Sequence, residues 1–245
     1  MAIHWTKYSA PSAFYPMAGR SLPWLAAGTL LLTAVGVYMG LFSAPTDYKQ
    51  GEAYRIMFIH VPAAWMSMWL YIVMAAYAGL GLVYNTRMAH MLAAATAPTG
   101  AIFAFLALWT GAFWGRPMWG AWWVWDARLT SELILFFLYL GVMALRAAID
   151  DRQRADRASA LLALVGVVNV PIIYFSVKWW NTLHQGATID FSGSKMDRSM
   201  LWPMLILTVA FWLYSFVTIF LRARCEILER ERHAEWVGEL LDNRG

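Results

Sequence analysis

The sequence predicts an all-α polytopic membrane protein: a bundle of six transmembrane helices with a tryptophan-rich loop at one face. Three observations lead there. Of 245 residues, 60% are hydrophobic and only 14% charged, a balance that excludes an ordinary soluble domain. Apolar runs recur at close to the roughly 20 residues that a helix needs to cross a bilayer core. The runs also lack the alternating pattern of barrel strands, which leaves the helix as the way to pair every backbone group in lipid.

The spans fall at about 22–42, 56–83, 91–114, 129–146, 158–177 and 200–221, within one membrane domain covering residues 1–245. The first carries no small-residue cleavage pattern, so it reads as a retained span rather than a signal peptide. In the second, Pro62 follows close behind His60 and suits the first turn of a helix, where its missing N–H costs nothing. The fourth is the shortest, and Asp126 just before it is placed to cap its first turn. Asp150 to Arg157 reads as a short charged turn, and the chain from Arg222 onward as a charged, partly amphipathic helix. Of the 19 Lys and Arg residues, twelve lie on the side of the termini and seven on the other. The positive-inside rule then puts both termini in the cytoplasm, with the tryptophan-rich segment and the loops 43–55 and 178–199 facing outward.

The formal net charge of +4 is spread over short inter-span segments, not gathered on one face, so nothing supports nucleic-acid binding. Cys225 is the single cysteine, which excludes an intramolecular disulfide, a C-x-x-C redox pair and a C-x-x-C-H haem attachment. There is no Walker A motif, so ATP hydrolysis cannot reside on this chain.

Between Trp114 and Glu132 the chain reads W-G-R-P-M-W-G-A-W-W-V-W-D-A-R-L-T-S-E, with Trp114, Trp119, Trp122, Trp123 and Trp125 inside twelve positions and Trp179 and Trp180 on the same side. An aromatic belt accounts for one or two tryptophans per interface. The excess points to a platform for a broad, flat, amphiphilic ligand, and Gly115, Pro117 and Gly120 would let the backbone turn and approach it, although loop geometry alone would ask for the same residues. The topology sorts the histidines: His4, His90 and His233 fall on the cytoplasmic side, His60 and His184 on the outer side. Either one alone would pass for a hydrogen-bonded interfacial histidine. Two neutral imidazoles beside such a platform can ligate a haem iron from above and below. Without thioethers, any such haem is held non-covalently, and haem b is the expected form. Arg128 and Arg55 are forks that suit its propionates, or that pair with Asp126, Glu52 or lipid phosphate. Asp126 is expected to fix the loop as an N-cap, Glu132 needs a neutralising partner such as Arg128, and Asn181 or Gln185 could orient the His184 ring.

The tryptophan-rich stretch resembles the WWD signature of haem-handling membrane proteins. F-I-H-V-P-A-A-W-M around His60 and W-W-N-T-L-H-Q-G around His184 narrow the resemblance to the cytochrome c maturation protein C, or haem exporter protein C, family. It covers essentially the whole chain. The resemblance implies a site at the periplasmic face of a bacterial, or mitochondrial-type, inner membrane, with His60 and His184 as the axial ligands and the WWD residues around them. It implies presentation of haem to a chaperone, maturation protein E, for covalent attachment during c-type cytochrome biogenesis. It also implies three partners in a maturation complex: the ATP-binding maturation protein A, the membrane-embedded maturation protein B and the small single-span maturation protein D. The chain is then a transfer scaffold and not an enzyme. The rival readings are a haem-transporting permease component of an ABC complex, a cytochrome b-type oxidoreductase and a structural component with a heavy aromatic belt. A permease would call for a midplane polar site between broken helices, and the oxidoreductase for histidine pairs buried in the spans; the sequence places its polar residues at the outer surface and shows no such pairs.

Overall fold

Six helices long and apolar enough to cross a membrane enclose the predicted runs: Pro11–Ser43, Glu52–Tyr84, Arg87–Trp119, Ala127–Ala148, Arg152–Trp179 and Arg198–Arg230. The computed structural model describes residues 5–180, 182–184, 189–190 and 193–242, so His4, Asn181 and Gln185 lie outside the described residues. Helix α1 (Pro11–Val37) starts on a proline in its first turn, where no donor is lost, and relaxes into a π-turn over Tyr38–Ser43. A 3-10 turn, Glu52–Ile56, leads into α2 (Met57–Tyr84), which stops at Asn85 in the left-handed region. Then come α3 (Arg87–Trp119), α4 (Ala127–Ala148), α5 (Arg152–Gly166), α6 (Asn169–Trp179), α7 (Arg198–Arg230) and α8 (Glu235–Asp242). Two two-residue strands, Ile189–Asp190 and Gly193–Ser194, pair antiparallel between α6 and α7.

The principal packing pairs are α2 on α3 and α1 on α7, with α4 joining α3, α5 and α6. Met66, Met91, Phe103, Ile219 and Ile227 fill the centre of one half. Tyr71, Met74, Leu135, Tyr139 and Ile173 fill the other. At one end Tyr54, Phe58, Met204 and Leu207 close a third layer beneath the loops 44–51 and 120–126. The opposite, basic end is drawn together by ions. Arg230 bridges Asp156 at 2.7 Å and Glu226 at 2.6 Å, while Arg146 binds both carboxylates, joining α4, α5 and α7. A cavity of about 690 Å³ opens at this end between α3, α4 and α7, far from the tryptophans.

Several expectations change. Residues 152–157 are helix and not turn, because Asp151 caps Arg154 N at 2.7 Å and Asp156 is buried in the ion network. The tail does form a helix, α8, after α7 has run on to Arg230. Pro62 sits in the sixth position of α2, past the first turn, so its ring leaves the Phe58 carbonyl without its usual donor. The fifth span is broken at Val167 and Val168 between α5 and α6. Polar side chains are also buried inside the bundle, Ser67, Glu132 and Asn169 among them, not confined to its outer surface.

Candidate functional site

The end of the bundle closed by the 120–126 loop gathers His60, His184 and the tryptophan-rich segment, which lie far apart in the sequence. Helix α3 carries Trp114, where the expected span ended, and runs on through Gly115 and Pro117 to Trp119, so these last three belong to the helix and not to a loop. Gly120 ends it with φ 76°, donating its N–H to the Arg116 carbonyl at 3.1 Å; this is the left-handed position that glycine fills without strain. The loop proper is therefore short and holds Trp122, Trp123 and Trp125 before Asp126 starts α4.

His60 and His184 are each held by one ring nitrogen. His60 Nδ1 lies 3.0 Å from the Ala107 carbonyl and 3.1 Å from Thr110 Oγ1, whose own proton goes to the Leu106 carbonyl at 2.6 Å. A carbonyl can only accept, so Nδ1 carries the hydrogen and Nε2 keeps its lone pair. Gly111 makes room for this, since a Cβ there would stand 3.0 Å from His60 Cε1. His184 Nδ1 lies 3.2 Å from Asp126 Oδ2, while Asp126 Oδ1 accepts from Leu129 N at 2.7 Å. The expected N-cap is thus present, and the same carboxylate also orients His184. Asn181 and Gln185, expected in that role, are outside the described residues. The Thr182 hydroxyl accepts from His184 N at 3.2 Å and steadies the loop. Among the described residues neither histidine uses Nε2 in a hydrogen bond.

Two tryptophans of α3 serve the two histidines separately. Trp114 meets His60 edge-on at 5.6 Å between centroids, and Trp119 meets His184 at 4.9 Å. Trp114 Nε1 is tied to Gln50 Oε1 at 2.9 Å, which joins the 44–51 loop to the site. Trp123 packs across Trp125 at 5.3 Å, and its Nε1 is buried with no acceptor among the described residues. Trp122 leans on Phe113 and, with Trp125, Trp179 and Trp180, stays exposed.

The arginines divide. Arg55 donates to Glu52 and to the Gly40 carbonyl at 2.9 Å, and lies over the Tyr54 ring. Its Nε and Nη1 are engaged, and among the described residues it makes no hydrogen bond to either histidine. Arg128 makes no hydrogen bond or ion pair through its guanidinium among the described residues, yet its charge acts on both His60 and His184. Burial holds the His184 pKa below the ordinary imidazole value of 6.5, Arg128 pushes it the same way, and Asp126 opposes. Near neutral pH His184 is therefore uncharged and able to bind metal. His90 and His233 lie at the basic end, His90 buried and His233 exposed beside Arg232. Asp126 as the partner of His184 had a sequence signal only for its cap; nothing local marks a contact across 58 positions.

Among the described residues, two imidazole lone pairs, one indole N–H and one guanidinium are left without a hydrogen-bond partner, and with the exposed indole faces they fit a flat, iron-containing, dicarboxylate ligand. The family model for "Heme exporter protein C" matches residues 4–238. The chain is similar to "Heme exporter protein C" of Escherichia coli K12, 50% identical over 235 residues, covering 96% of this chain and 95% of that one. The protein of the same name from Bradyrhizobium diazoefficiens is 56% identical over 223 residues, covering 90% and 84%. A Marchantia polymorpha mitochondrial protein named for cytochrome c biosynthesis is 45% identical over 197 residues, covering 80% and 84%.

Proposed function

Because the chain belongs to the haem exporter protein C family, we propose that it binds haem b non-covalently between His60 and His184 at the periplasmic face of the inner membrane. There it presents the haem to the chaperone, maturation protein E, for c-type cytochrome biogenesis. The observation that carries this reading is the matched pair of imidazoles, each with Nδ1 bound to an acceptor and Nε2 without a hydrogen bond among the described residues. That arrangement fixes the tautomer a haem iron requires and raises the basicity of the ligating nitrogen. Arg128 takes a propionate, and Trp114, Trp119 and Trp123 wall the site. Trp122 and Trp125 remain exposed to receive a partner. The bound haem supplies the vinyl group that the chaperone takes up. This chain contributes orientation, as a scaffold working with maturation proteins A, B and D, the ATP step lying on maturation protein A.

Purified protein should show a low-spin spectrum. His60→Gly and His184→Gly should each abolish it, and added imidazole should restore it by entering the space left by the ring. A low-spin spectrum indifferent to both substitutions would sink the reading. The α5–α6 break with its buried polar neighbours favours a second reading, a haem-transporting permease component. ATP-dependent haem movement into vesicles, lost on disrupting that break while haem ligation persists, would establish it.

A further inference from the structure

Among the described residues, Glu132 is the one acidic side chain buried in the half of the bundle beneath the histidines, at 7% exposure. A carboxylate there is costly without a partner. Its Oε1 accepts the Ser67 hydroxyl at 2.7 Å, and Tyr139 fixes the Ser67 backbone by donating to its carbonyl at 2.7 Å. Ser67 follows His60 by seven positions on α2, and Arg128 precedes Glu132 by four on α4, so both residues share a face with the site above them. Arg128 has no hydrogen-bond acceptor among the described residues, and the two anions whose charge reaches it are Glu132 and Asp126. Asp126 is already committed to Leu129 N and His184.

We infer that Glu132, anchored by Ser67, is the counter-ion that keeps the uncommitted Arg128 guanidinium at the histidine pair, ready for an anionic ligand group. Asp126 shares in this charge, but its two oxygens are also held by the helix cap and the imidazole, whereas Glu132 lies one helical turn from Arg128 on the same face of α4. Glu132 is a positioning residue: it touches neither iron nor ligand. The ligand half of the inference rests on the haem reading above; the counter-ion half does not.

Two measurements on the full-length purified protein test it. In haem-free protein, Glu132→Gln and Arg128→Gln should each lower the thermal midpoint. The double variant should recover most of the loss, because removing one buried partner strands the other's charge whereas removing both does not. Losses that simply add would overturn the counter-ion role. In haem-loaded protein, Glu132→Gln should keep the low-spin spectrum while shifting the haem midpoint potential upward, since a negative charge near the iron has gone. Glu132→Asp should restore the wild-type potential. An unchanged potential in Glu132→Gln, the result a merely structural glutamate would give, would overturn the link to the site. If wild-type protein gives no low-spin spectrum, the haem reading fails and the haem-free cycle alone decides the counter-ion.

Discussion

Asp126 shows how one side chain can serve helix and site together. Its Oδ1 holds the first turn of α4 and its Oδ2 holds His184. Asp126→Ala should cost about 1 kcal/mol of cap stability and also free the His184 ring, weakening haem binding. Asp126→Asn keeps a capping oxygen, so its thermal midpoint should stay near wild type while haem binding falls; calorimetry and a haem titration separate the two effects. His184 also sets a pH dependence. Its pKa in the folded protein lies below 6.5, mainly through burial, so at a pH between the two values the unfolded chain binds a proton that the folded chain does not. Stability and ligation by this group should be complete above pH 6.5, stability should fall as the pH drops below it, and ligation should fail only as the lower value is crossed. Arg128→Gln removes a positive neighbour and should move the acid loss of the low-spin spectrum to higher pH. A fixed inflection in that titration would contradict the electrostatic assignment.

At the scale of elements, α3 is the organiser. It places Trp114 against His60, Trp119 against His184 and the Ala107 carbonyl under His60 Nδ1. Its end is set by Gly120, where an alanine would be forced into the left-handed region at about 1–2 kcal/mol. Gly120→Ala should therefore lower stability by that amount and disorder the tryptophan geometry, read as a broadened haem absorption band. Gly111→Ala should displace the His60 ring and weaken haem binding with a smaller change in the thermal midpoint, since the neighbour it crowds is a side chain.

The whole molecule differs between its two ends. Ion pairs between Arg146, Arg230, Asp156 and Glu226 clamp α4, α5 and α7 at the basic end, and His60, His184 and the tryptophans beside them lie at the other. Asp156→Asn leaves two mostly buried guanidinium groups short of charge and should cost about 3–5 kcal/mol, measured by thermal unfolding in detergent, with the haem spectrum of the folded fraction unchanged. Composition and run length were enough to read six crossings from the sequence, because lipid leaves a chain without barrel alternation no other way to pair its backbone. The signs of the inter-span segments likewise grouped His60, His184 and the tryptophans at one end, since charge distribution follows chain order. Helix ends were less legible: Gly115 to Trp119 read as loop because tryptophan and proline suit an interface as readily as a final turn, and the α5–α6 break has no strong local marker. Packing alone decided which side chains meet. Asp126 reaching His184, Ala107 reaching His60 and Ser67 reaching Glu132 join residues 47 to 65 positions apart. Such pairings depend on how helices cross and face one another, and the spacing of residues along one chain does not encode that.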